Sequence, residues 1–94
     1  MTFRAEALPT FISEVFENSK KAIRAFDGCQ HMELLQHCTQ ENVLFTLSYW
    51  DDEAALERYR DSALFADTWA KTKALFADKP QAWSTVVVDG MPPI

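Results

Sequence analysis

The chain reads as an α+β domain of order βαββαβ, a ferredoxin-like arrangement in which an antiparallel sheet carries its helices on one face. Three observations predict this. Apolar residues recur at three- and four-residue steps between Glu6 and Phe26, which is helical spacing. Two runs rich in β-branched and aromatic residues follow Gly28 in quick succession, which is hairpin spacing. After a second helical stretch comes "QAWSTVVVD", a strand by composition. With 94 residues the domain is single, covers 1–94, and has a thin core.

Each element has a local reason. "MTFR" supplies a fragment of strand. Leu8, Phe11, Ile12, Val15, Ser19, Ala22, Ile23 and Phe26 then form one stripe of an amphipathic helix. Pro9 fits only within its first turn, so the helix starts near Ala5 to Leu8. Asp27-Gly28 stops it. "CQHMELLQHC", residues 29–38, and "NVLFTLSYW", residues 42–50, are joined by a loop of hairpin length and pair antiparallel. "DDEAALERYRDS" opens with acids that suit the positive end of a short helix. Asp61 or Ser62 caps the next helix, whose stripe is Phe65, Trp69, Thr72 and Phe76, and which ends before Pro80. Residues 90–94 form a tail.

Charge excludes some partners. A net charge of −5 and the absence of any Lys/Arg cluster argue against a nucleic-acid backbone or an anionic membrane. No apolar run approaches the ~20 residues that span a bilayer, and no secretion signal is visible, so the expected location is cytoplasmic.

Residues 29–38 hold both cysteines and both histidines, which invites a metal or redox reading. Geometry disfavours it. In an extended strand Cys29 and Cys38 lie about 30 Å apart, and His31 and His37 about 20 Å, too far for a disulfide or a shared metal. No metal site is expected. His31 and Glu33, two apart on one side of the strand, remain a candidate proton-handling pair; the plainer alternative is a hydrogen-bonded surface histidine.

Alternation along the strands leaves neither face polar. Val43, Phe45, Leu47 and Tyr49 share one side; Leu44, Thr46, Ser48 and Trp50 share the other. With helices on one side only, an apolar face stays uncovered, and the expected cover is a second copy packed sheet to sheet about a two-fold axis.

"DGCQHMELLQ" and "FTLSYWDDEAALERYRDSALFADTWAKTKALF" resemble the antibiotic biosynthesis monooxygenase family of dimeric α+β barrels. The shared features are a Gly-Cys start to one strand, a strand ending in Trp, an acidic turn into Ala-Leu, and a Ser-x-x-Phe helix start at Ser62 to Phe65. The likeness covers roughly residues 6–88. It implies a homodimer with one pocket per subunit for a planar aromatic substrate, oxygenated by O2 without a cofactor. It also implies a longer, central first strand, of which Met1 to Arg4 is a truncated form. A haem-degrading branch uses an Asn on that strand, then a Trp and a His. Offsets from Trp50 put Tyr59 and Trp69 at the last two positions, and no Asn lies between Met1 and Arg4, so haem degradation is not implied.

The resemblance therefore implies a cofactor-independent monooxygenase acting on a small quinol- or polyphenol-type molecule. His31 and Tyr59 are the candidate catalytic residues, and Trp50, Trp69 and Phe65 the candidate substrate-binding ones. The alternative is a non-catalytic dimer of the same fold that binds a small ligand or serves a stress or regulatory role. For Trp50 and Trp69, core packing competes with substrate stacking.

Overall fold

A computed structural model describes residues 1–90. The first helix, α1, runs over residues 5–24 in four pieces: a 3-10 turn Ala5–Ala7, α-helix Leu8–Thr10, a π-helical stretch Phe11–Phe16, and α-helix Glu17–Arg24. Pro9 sits in the first turn of the α-helical part, where its missing N–H costs nothing. The buried residues of the helix body are Phe11, Val15, Ser19 and Ile23, every fourth position. Steps of four overshoot an α-turn by about 40° each, so such a line drifts around a regular helix. The wider π-turn, in which the Glu17 N–H donates to the Ile12 carbonyl, offsets that drift. Two residues of the expected stripe, Ile12 and Ala22, are exposed as a result. Ser19 is buried on that line at no polar cost, its hydroxyl donating to the Val15 carbonyl at 2.7 Å.

Strands β1 (Cys29–Gln36) and β2 (Leu44–Trp50) form an antiparallel pair in which His31 faces Tyr49, Glu33 faces Leu47 and Leu35 faces Phe45. A bulge between Cys29 and His31 brings Cys29 opposite Trp50. The connecting loop is ordered by His37, whose Nδ1 accepts from the N–H of Thr39 at 3.2 Å and of Gln40 at 3.0 Å. Helices α2 (Glu53–Arg60) and α3 (Ala63–Lys73) follow, capped by the side chains of Asp52 and Ser62. None of the described helices is long and apolar enough to cross a membrane.

The core is built on Phe3, Phe11, Val15 and Leu44, with Leu8, Phe16, Leu34, Leu75 and Phe76 packed around them. Phe3 meets Phe11 at 4.4 Å between ring centroids and Phe76 edge-on at 5.2 Å. The first strand is reduced to two bridges, Thr2 to Val43 and Phe3 to Phe76. Phe76, expected at the end of a helical stripe, is instead the bridging residue after α3.

The fold is α+β with an antiparallel sheet and helices, as the sequence predicts, but the sheet is narrower. The strand expected at "QAWSTVVVD" does not form: residues 79–87 have no regular structure, and every residue from Ala77 to Gly90 is exposed. A strand is held by a neighbour's backbone. The segment that would flank this one contributes only Thr2 and Phe3, so pairing stops at Phe76.

Gly28 holds the two halves together. Its φ of 89° suits only glycine, and a Cβ there would overlap the Ala55 Cβ on α2. Ala55 is fully buried, so the helix lies directly on the turn. Gly28→Ala should lower stability by about 2–4 kcal/mol, combining the backbone cost with overpacking. Leu44→Ala, which opens the core, should cost about 3 kcal/mol. Urea denaturation checks both; a Gly28→Ala chain as stable as the parent would show that α2 does not rest on this turn.

Candidate functional site

The Gly28–Ala55 contact sets α2 over the end of the strand pair. The Gly28 carbonyl accepts from the Asp51 N–H at 2.8 Å, and the Asp52 carboxylate accepts from the Ala55 N–H at 2.8 Å. Tyr59, one turn further along α2, is thereby laid on Trp50: the rings stack at 5.0 Å with 25° between planes. Phe26, from the end of α1, meets Tyr59 edge-on at 5.4 Å and Trp50 at 6.2 Å.

The Ser62 cap brings the next pair in. Its hydroxyl donates to the Tyr59 carbonyl at 2.6 Å and accepts from the Phe65 N–H at 3.1 Å, fixing the turn between α2 and α3. Phe65 then meets Tyr59 edge-on at 5.2 Å and stacks with Trp69 at 5.9 Å, 11° from parallel. Trp50, Tyr59, Phe65 and Trp69 thus form one half-buried aromatic wall on the helix-covered side of the sheet. Helix α3 rests mainly on α1 and α2 rather than on β2, and Thr46, on the same side of β2 as Trp50, is exposed; this uncovered strip of strand beside the wall is here termed the cleft.

Polar groups in the cleft are few. The Trp50 indole N–H donates to the Ser48 hydroxyl at 3.0 Å. Burial, followed by the neighbouring Cys29, pushes the Tyr59 hydroxyl up to about 12, so at neutral pH it is a donor and not a base. Burial also raises the Cys29 thiol, with the His31 backbone and Arg24 opposing. Two hollows elsewhere, one lined by Lys73 to Pro80 and one by Thr10, Glu14, Lys71 and Leu75 among others, are open to solvent and hold no convergent polar set. The aromatic wall, where Trp50, Tyr59, Phe65 and Trp69 meet, is the candidate site.

His31 does not join it. The structure brings together Trp50, Tyr59, Phe65 and Trp69, but His31 lies on the opposite, open face, stacked on Tyr49 at 5.3 Å with Nε2 3.6 Å from Glu33. The reason is the alternation of side chains: His31 pairs across the ladder with Tyr49, and Cys29 with Trp50, on the other face. Sequence reasoning did not assign Phe26, Cys29 or Ser48 to the site. For Ser48 the signal was present, because it shares a face with Trp50 at i, i+2.

A family model for antibiotic biosynthesis monooxygenases matches residues 1–71. The chain belongs to the antibiotic biosynthesis monooxygenase family. Its fold is shared with PA3566 of Pseudomonas aeruginosa (22% identity, 83% of this chain and 78% of that one, TM-score 0.70). It is shared equally with Rv0793 of Mycobacterium tuberculosis (18%, 89% and 91%, 0.72). A proposed antibiotic biosynthesis monooxygenase from Deinococcus radiodurans is similar over 95% of this chain and 92% of its own (16%, 0.72). At these identities the likeness is one of fold. No curated protein matches the chain.

In this family member the state of Tyr59 can be read directly. The only other tyrosine is Tyr49, so a Tyr49→Phe chain reports Tyr59 alone. Ultraviolet titration should give a tyrosinate midpoint of about 12, against the usual 10. The unfolded chain ionises first, so the stability Tyr59 contributes is fully present below pH ~10 and is lost as pH rises toward 12. A midpoint near 10 would mean a wet hydroxyl and an open wall.

Proposed function

We propose that this protein is a cofactor-independent monooxygenase that oxidises a small, electron-rich phenol or quinol with molecular oxygen in the aromatic cleft. The observation that carries this reading is the stacked Trp50–Tyr59 pair, a flat apolar wall with a protonated hydroxyl at its edge, in a member of this family. A planar ring lies against the wall between Trp50 and Trp69, with Phe65 beside it. The substrate loses its phenolic proton and passes an electron to O2. Recombination of the phenoxyl radical with superoxide forms a ring C–O bond; the resulting peroxide takes up the phenolic proton, loses its ring-carbon hydrogen as a proton and breaks its O–O bond, leaving a quinone and water. Tyr59 donates a hydrogen bond to the oxygen on which negative charge develops.

The deprotonation step has no base in the cleft among the described residues. Tyr59 and Cys29, the titratable groups there, are both shifted toward their protonated forms. His31 serves as base only if a second copy brings it to the cleft. The working unit is a homodimer, because Leu35, Phe45, Leu47 and Tyr49 on the open face are 37–54% exposed, an apolar surface that self-association covers. Two such sheets facing each other make the barrel that the family resemblance implies. Both cysteines are free, which fits the reducing cytoplasm.

The missing base also favours a second reading, a non-catalytic dimer that holds a small aromatic ligand in the same cleft. Oxygen uptake with a panel of quinols and naphthols decides between them. The enzyme should exceed autoxidation, Tyr59→Phe should lose about tenfold or more, and His31→Ala should lose far less than the ~10²–10⁴ that a base supplies. Uptake no greater than autoxidation, together with quenching of tryptophan fluorescence by the same compounds, would leave the binding reading.

A further inference from the structure

The open face of the strand pair carries a charge pattern that the oxidation chemistry does not use. Three cross-strand pairs make up the face: His31 with Tyr49, Glu33 with Leu47, and Leu35 with Phe45. The two ionisable partners stand together among apolar neighbours. His31 Nε2 lies 3.6 Å from the Glu33 carboxylate, with the side chains 47% and 43% exposed, and the imidazole is stacked on Tyr49 at 5.3 Å. The other charged or titratable groups nearby lie at the margins of the face. Arg24 reaches the edge of β1 from α1, its Nε donating to the Met32 carbonyl at 3.0 Å. Asp51 accepts from the Gln30 amide at 2.6 Å, and His37 has its Nδ1 engaged by the loop N–H groups of Thr39 and Gln40.

In a single chain the His31–Glu33 pair contributes little, because both side chains are solvated. Covering the face changes the balance. A carboxylate removed from water without a partner is costly, and a facing copy brings a second carboxylate towards it. With His31 neutral, two such faces therefore meet with like charges only. With His31 protonated, each face holds a matched cation and anion, and a two-fold axis sets that pattern against itself. The face is self-complementary in one protonation state and self-repelling in the other. This singles out a second copy as the occupant. A basic partner would be matched by Glu33 alone and repelled by a charged His31, and an acidic partner would be repelled by Glu33.

We infer that the open face is a proton-gated contact between two copies of the chain. Association binds a proton at His31 of each copy, where Glu33 holds it, and the dimer loosens as pH rises through the range in which histidine gives up its proton. This inference rests on the homodimer proposed above and adds what controls it; it does not rest on the oxidation.

Sedimentation equilibrium of the full chain between about pH 6 and pH 8 tests it, because ordinary carboxylates stay ionised over that range. The dimer dissociation constant should rise with pH by about tenfold for each proton released, and so by roughly a hundredfold for two. In His31→Ala it should exceed the wild-type value at the acid end and stay nearly flat. In Glu33→Gln the slope should change sign, because protonation then puts an unmatched cation on each face. Both side chains are exposed, so the fold stays intact, which circular dichroism verifies. A wild-type constant that does not change with pH, a slope that survives His31→Ala, or an unchanged sign in Glu33→Gln would overturn the inference and leave the dimer standing. Single chains at every pH would overturn the dimer and the inference together, whatever the oxygen uptake.

Discussion

A strand pair with helices on one side only has two faces with different fates, and everything in this protein depends on that division. Side chains alternate with a period of two, so each residue of β1 and β2 goes either to the helix layer or to the open side. Met32 and Leu44 go inward and are buried. Phe45 and Leu47, no less apolar, go outward and stay more than a third exposed. Hydrophobicity does not choose between them; register does. The helix-covered side holds both the core and the candidate site, and the open side keeps Leu35, Phe45, Leu47 and Tyr49 exposed.

The site is a consequence of packing at one end of that pair. A glycine that tolerates φ of 89° allows α2 to touch the turn before β1, and the caps at Asp52 and Ser62 fix where each following helix begins. Tyr59, Phe65 and Trp69 follow from those starting points, and Trp50 meets them from the strand. Aromatic walls with few polar groups favour a flat apolar guest. The same burial that builds the wall raises the Tyr59 hydroxyl to about 12, which suits it to donating a hydrogen bond and unsuits it to taking a proton.

Much of this was legible in the residues. The helix over Glu6 to Phe26, the strand pair and the two short helices follow from spacing and caps, while Tyr59 and Trp69 are singled out by the offset from Trp50 that the family resemblance implies. Three features were not. The π-turn at Phe11–Phe16 has no sequence signature beyond the four-residue spacing it serves, so the stripe read from spacing includes the exposed Ile12. Chemistry alone groups His31 with Tyr59, whereas the bulge before it and its pairing with Tyr49 send it to the other face. The last strand has every compositional mark of one, but a strand needs a neighbour's backbone, which composition does not reveal.

The division between faces is tested most directly by nuclear magnetic resonance of the labelled chain titrated with a naphthol. Binding in the cleft should move the indole N–H signals of Trp50 and Trp69 while the amides of Leu35 and Phe45 on the open face stay in place. Shifts confined to Leu35, Phe45 and Leu47, with both indoles unmoved, would put the ligand on the wrong side of the sheet and contradict the account.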